Sequence, residues 1–184
     1  MIDFTSVNDP GVARSLNDGM IGIIRTDTLY GVLARAGDEK AVNRVYDLKH
    51  RDEAKSPIVL ISSIDDIFDV TDDATRKLLD SVWPGPVSVI VPSAQAPVWI
   101  RRDNDSVAYR MPADENLLKL LKQTGPLIAP SANPEGLPPA MDIDEAKSYF
   151  GDAADFYVDS GRVTDATPSQ LLLIKPDGKV SRLR

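Results

Sequence analysis

Short apolar runs alternate with helix-length amphipathic stretches along this chain, and that alternation restricts the fold more than any other feature. Met20 to Ile24, Pro57 to Ile61 and Val87 to Val91 are each five residues long and rich in Val and Ile, as buried strands are. Helical patterns stand between them. Asp9-Pro10 reads as an N-cap acid followed by a first-turn proline, opening a short helix that Gly19 stops. Asp38 caps a second helix with Ala41, Val42, Val45, Tyr46 and Leu48 on one side. Residues 64–82 hold two helical patterns with acidic surfaces, and Glu115 to Gln123 and Asp142 to Phe150 hold one each. Trp83-Pro84-Gly85-Pro86 is a rigid turn. Further strands are predicted over Ser106 to Met111, Pro126 to Ala129, Phe156 to Val158, Gln170 to Ile174 and Lys179 to Leu183. Early alternation and a strand-rich end predict an α/β fold built on an open, twisted, mixed β-sheet flanked by helices. In such sheets ligand-binding residues sit in loops at strand ends.

Composition narrows the chemistry. With 184 residues and 42% hydrophobic content, one core suffices, and a single domain over residues 1–184 is expected. The chain has no cysteine, which excludes thiolate metal sites and cysteine nucleophiles. His50 is the single histidine, so a multi-histidine metal site is excluded too. No run approaches the roughly 18 apolar residues of a membrane span. The opening MIDFTSVND lacks the layout of a signal peptide, so a cytosolic, membrane-free protein is expected. A net charge of −7 argues against nucleic-acid binding by bulk charge but leaves room for a local basic patch.

Several loops could carry function. Thr26-Asp27-Thr28-Leu29-Tyr30-Gly31 is dense in hydroxyls, and its glycine would let the backbone approach a ligand. By pattern alone, a strand-ending Asx or Ser/Thr turn is the simpler reading. Lys49, His50, Arg51 and Lys55 lie past a helix end, where cations complement the dipole; they could equally grip a polyphosphate. Ser131-Ala132-Asn133 is stiffened by Pro130 and Pro134, which suits phosphate or ribose recognition or a plain turn. Arg110 interrupts an apolar strand and needs either a solvated face or a partner in a cleft. Arg101-Arg102 has the look of a solvated basic spot. Neither a P-loop nor a dinucleotide-binding glycine motif is present.

In this order, these segments resemble the YrdC-like family of threonylcarbamoyl-AMP synthases. TDTLYG at 26–31 is similar to the family's TDTxYG, and AVNRVYDLKHR at 41–51 to AVxRIYxxKxR, with a proline-led strand following at Pro57. WPGP at 83–86, VAYR at 107–110, APSANPEGLPP at 129–139 and PSQ at 168–170 resemble further blocks. The resemblance runs from near residue 20 to the C-terminus. It implies a YrdC-like fold with a concave, locally basic groove. It also implies a reaction in which L-threonine, bicarbonate and ATP give threonylcarbamoyl-AMP and pyrophosphate, for threonylcarbamoyladenosine modification of transfer RNA. By the same resemblance, Thr28, Tyr30, Arg110, Ala129 and Ser169 form the threonine pocket. Lys49, Arg51, Lys55, Ser106, Ser131, Asn133 and Arg182 lie on the ATP side, with Lys49 and Arg51 as the catalytic cations. Magnesium is expected on the phosphates, with no protein side chain as its ligand. Contact with transfer RNA and hand-over to downstream threonylcarbamoyl transferase proteins are implied as well. Nucleophile, nucleotide and leaving group are all anionic, so fixed cations and magnesium would supply the catalysis without a covalent nucleophile.

Four positions depart from the family pattern. Arg25 stands where proline is usual, Leu60 where many longer members have histidine, Pro139 at a frequent serine, and Gln170 at a common threonine. Without a C-terminal extension, the chain resembles the short single-domain form. These departures, with the basic residues at 49–55 and 101–102, motivate an alternative reading, a catalytically silent YrdC-like RNA-binding module.

Overall fold

Aspartate starts the helices. In α1 (Pro10–Asn17) the Asp9 carboxylate accepts the Gly11 N–H, and in α2 (Glu39–Lys49) Asp38 accepts that of Ala41. Asp72 does the same for Thr75 in α3 (Asp73–Val82). The single turn α4 (Val98–Arg101), led in by Pro97, has no side-chain cap. Asp114 caps α5 (Glu115–Thr124), and Asp142 caps α6 (Ile143–Phe150). Each carboxylate satisfies an N–H that the helix leaves orphaned and sits at the positive end of its dipole. Much of the acidic excess is thereby structural.

This computed structural model describes residues 2–164, 167–175 and 179–183. Its strands are β1 (Ile2–Phe4), β2 (Gly22–Arg25), β3 (Tyr30–Arg35), β4 (Ile58–Leu60) and β5 (Val87–Pro92). They continue as β6 (Ser106–Arg110), β7 (Leu127–Ile128), β8 (Phe156–Val158), β9 (Gln170–Ile174) and β10 (Val180–Arg182). All join one sheet in the order β1-β8-β2-β3-β7-β4-β6-β5-β9-β10. Pairs β1–β8, β8–β2, β4–β6 and β5–β9 are parallel, and the remaining neighbours are antiparallel. The expected mixed sheet is therefore present.

Side chains alternate across the sheet and fill two cores. Ile23, Val32, Val59, Ile128 and Tyr157 face one cluster with α2 residues. Their chain neighbours Ile24, Leu33, Leu60, Leu127 and Phe156 face another, covered by Val12 and Leu16 of α1 and Leu117, Leu120 and Leu121 of α5. At Gly22 the strand passes against the Phe156 ring so closely that a Cβ would lie 2.1 Å from it.

Several elements differ from expectation, among them the uncapped turn α4, which no sequence pattern announced. β3 continues straight out of the Tyr30-Gly31 motif, and all its residues but Arg35 are buried. A strand buried on both faces shows no alternation to read. β1 is a short, largely exposed edge strand held parallel to β8. Residues 64–66 form only a 3-10 turn, because Ser63 and Asp66 close a capping box there and Asp66 also takes the Ser62 N–H. Among the described residues no helix is long and apolar enough to cross a membrane.

Candidate active site

The turn between β2 and β3 builds the floor of a cavity. Thr26 N–H donates to the Leu29 carbonyl at 2.8 Å, and Thr26 Oγ1 donates to the same oxygen at 2.8 Å. The turn therefore closes on itself and holds the Thr26 and Thr28 hydroxyls 3.1 Å apart. Arg110, at the end of β6, reaches them: Nη1 donates to Thr28 Oγ1 at 3.1 Å and Nη2 to Thr26 Oγ1 at 3.3 Å. Only 4% of Arg110 is exposed, and Asp27 Oδ1 lies 3.1 Å from its Nη2. Burial pushes the Asp27 carboxyl above its usual range, and the guanidinium pulls it back. Arg110 thus faces a cleft and not solvent.

The cavity encloses about 270 Å³, near the lower end of small-molecule pockets. Thr28, Tyr30, Arg51, Arg110, Ala129, Ser131 and Ser169 all line it. These come from both the expected threonine and ATP groups. Tyr30 contributes its ring, because its hydroxyl is engaged behind the wall: it donates to Gly161 O at 2.8 Å and accepts Ser160 N–H at 3.1 Å. Burial raises its pKa, so it stays protonated at neutral pH. Gly31 serves the protein's own backbone. It forms a bridge with Ser131, and a Cβ there would sit 2.9 Å from Leu33 Cδ1 and 3.3 Å from Pro130 O.

Other expected site residues lie off the cavity wall. Lys49 is 3% exposed, and its Nζ donates to the carbonyls of Ser131 and Asn133. Burial, aided by Arg51, lowers its pKa to about 8. Asn133 Oδ1 accepts the Ser131 hydroxyl at 2.6 Å, and its amide donates to Pro134 O and Leu137 O. Lys55 pairs with Glu135, whose other carboxylate oxygen accepts Asp52 N–H at 2.6 Å. Those two bonds, Lys55 first, hold the Glu135 carboxyl below its usual range. Residues 49–55 and 129–139 are thus interlocked. Ser106 heads β6 opposite Pro92, and Arg182 lies on β10 opposite Leu172.

Arg51 folds back on its own loop, donating from Nε to Lys55 O at 3.3 Å and from Nη2 to Ser56 O at 3.1 Å, yet still lines the cavity. Its guanidinium lies 5.7 Å from the Tyr46 ring centroid, and that of Arg102 lies 3.8 Å from it. Arg102 also donates to Asn43 at 3.2 Å. The pair Arg101-Arg102 is half-buried and engaged, which corrects the expectation of a solvated basic spot. Among the described residues no group of three or more His, Cys, Asp or Glu could hold a metal ion.

Some cavity-lining residues had no site role in the sequence reading: Ile58, and Leu29, Pro139 and Pro168, which lay inside quoted motifs. Thr26 and Asp27 fell inside the singled-out TDTLYG segment without a role. Ile58 and Leu29 carry no signal, being ordinary apolar side chains. Glu135 did carry one, an acid inside an anticipated phosphate loop.

Residues 14–184 match the Sua5–YciO–YrdC family, described as telomere recombination. A threonylcarbamoyl-AMP synthase of Cellvibrio japonicus is 34% identical over 150 residues, covering 78% of each chain. That of Escherichia coli O1:K1 is 33% identical over 145 residues, 75% of this chain and 76% of its own. The crystal structure of P. abyssi Sua5 complexed with L-threonine superposes with a TM-score of 0.87 at 27% identity, over 100% of this chain. This chain spans only 56% of that protein's length, and 59% of a doubly substituted P. abyssi Sua5 with a TM-score of 0.88. E. coli YciO, at 16% identity and a TM-score of 0.84, shares the fold.

Proposed function

We propose a threonylcarbamoyl-AMP synthase activity for this chain, which belongs to the Sua5–YciO–YrdC family. The observation that carries it is the buried Arg110 on the cavity wall, steadied by Thr26, Thr28 and Asp27. A buried guanidinium with a two-pronged face suits an amino-acid carboxylate. The relatives named above and the threonine complex of P. abyssi Sua5 point the same way.

In this reading threonine binds with its carboxylate on Arg110 and its polar groups near Thr28, the Ala129 backbone and Ser169. ATP lies toward Arg51 and Ser131, with Lys49, Lys55, Ser106, Asn133 and Arg182 contributing from farther back. Threonine's neutral amine bonds the carbon of bicarbonate, whose C–O bond breaks to release water, leaving a carbamate. One carbamate oxygen then bonds the α-phosphorus as the bond to pyrophosphate breaks, which makes the protein a nucleotidyltransferase. Arg51 offsets the gathering negative charge, while Lys49 acts on the nucleotide by holding the Ser131–Asn133 carbonyls. Arg51 and Ser131 on that side offer no anionic ligand, so magnesium would be held by the ATP phosphates and would offset their charge. Product would pass to transfer RNA through a downstream threonylcarbamoyl transferase in the cytosol. The alternative of a silent RNA-binding module gains little, because Arg102 is stacked on Tyr46 and bonded to Asn43 within the chain.

The test is incubation of the purified protein with MgATP, threonine and labelled bicarbonate, followed by mass spectrometry. Labelled threonylcarbamoyl-AMP and pyrophosphate, both dependent on threonine, are expected. Folded protein that binds transfer RNA in a salt-dependent way but forms no adenylate would favour the silent module.

A further inference from the structure

Ser88 is the second residue of β5, an interior strand between β6 and β9, and is 0% exposed. A buried hydroxyl in such a strand carries a desolvation cost unless it is bonded. Its Oγ lies 2.9 Å from Ser169 Oγ, which is itself 3% exposed and lines the cavity. The backbone brings the two together. Gln170 N–H donates to Pro86 O at 3.0 Å, and β9 runs parallel to β5 with Val87 opposite Gln170 and Ser88 opposite Leu171. Register therefore sets Ser169's backbone against the start of β5, and the hydroxyl pair ties its side chain to Ser88.

We propose that Ser88 is a positioning residue for threonine recognition: its buried hydroxyl fixes the rotamer from which Ser169 Oγ faces the substrate. This rests on the threonine pocket proposed above. Ser88 does not line the cavity and touches no substrate. It acts on threonine through Ser169.

The experiment measures kcat and KM for threonine and ATP in wild type, Ser88→Ala, Ser169→Ala and the double variant. Ser88→Ala is expected to raise the threonine KM about three- to tenfold, the range of one neutral hydrogen bond. The ATP KM and kcat stay within about twofold. The double variant is expected to be no worse than Ser169→Ala alone, because one variant has already removed the coupling that the other acts through. Ser88→Cys keeps a weaker donor on a somewhat larger atom and should fall between wild type and Ser88→Ala, even if the latter folds poorly. An unchanged threonine KM in both Ser88 variants, an equal rise in both KM values, or additive losses in the double variant would overturn the proposal. If Ser169→Ala raises the threonine KM but Ser88→Ala does not, the pocket stands and only this inference fails. If wild type shows no threonine dependence, the pocket and this inference fail together.

Discussion

A guanidinium buried as deeply as Arg110 needs a counter-charge, and Asp27 supplies it from 3.1 Å. Two threonine hydroxyls then hold the fork in plane. Lysine keeps the charge but not the fork. Arg110→Lys is therefore expected to raise the threonine KM at least tenfold while leaving the ATP KM near wild type, as steady-state kinetics would show. A parallel rise in both would move Arg110 out of the proposed threonine pocket. Lys49 yields a pH prediction. Folded, it titrates at about 8, against 10.5 for an ordinary lysine. Between those values the unfolded chain carries the extra proton, so this residue's contribution to stability grows with pH through that window and is lost as pH falls through 8. Urea unfolding of wild type and Lys49→Met should show the wild type gaining on the variant by on the order of 2 kcal/mol from pH 7.5 to 9.5. Arg110 was visible in the sequence as a charge out of place in an apolar strand, whereas Lys49 at a helix end read equally as an ordinary partner of the helix dipole. The sequence could not show which way Lys49 points. Its carbonyl partners lie more than 80 positions away, and only the folded sheet brings them under it.

Five of the helices were legible because each begins with a local signal that needs no tertiary help, whereas the uncapped turn α4 offered none. Asp9, Asp38, Asp72, Asp114 and Asp142 all cap where they were read or where a helix was expected. Strands were legible when a turn residue bounded them. β3 was not, since its first residues belong to a motif that reads as a loop and the rest, Val32 to Ala34, is featureless apolar sequence. Sheet contacts at this scale are unforgiving. Gly22 lies opposite Phe156 in register, and a Cβ would meet the ring at 2.1 to 2.6 Å. The ring is buried and cannot swing away without disturbing Leu16 and Val158 in the same cluster. Gly22→Ala is expected to cost about 1–3 kcal/mol, the usual range for overpacking, seen as a lower urea midpoint at constant slope. A variant as stable as wild type would mean that β2 and β8 can separate without penalty.

The cavity exists only when distant parts of the chain are assembled: Thr28 from the β2–β3 turn, Arg51 after α2, Arg110 from β6, Ser131 after β7 and Ser169 before β9. No fragment of the sheet carries it, so ligand binding must be linked to global unfolding. At about 100-fold above its dissociation constant a ligand adds roughly 2.7 kcal/mol. For a chain of this size that corresponds to about 5–10 °C in Tm. The two substrates should differ in how salt affects this gain. Threonine's carboxylate would meet a guanidinium that is 4% exposed and shielded from mobile ions. ATP's phosphates would meet the half-open loop around Arg51, on a molecule whose net charge of −7 repels them at long range. Raising potassium chloride from about 0.05 to 0.5 M shortens the screening length from beyond 10 Å to a few ångströms. The ATP-induced Tm shift should then change by several degrees while the threonine-induced shift holds within about one. Differential scanning fluorimetry at saturating ligand reads both directly. Equal salt sensitivity would place the threonine carboxylate at the exposed end of the groove, away from Arg110.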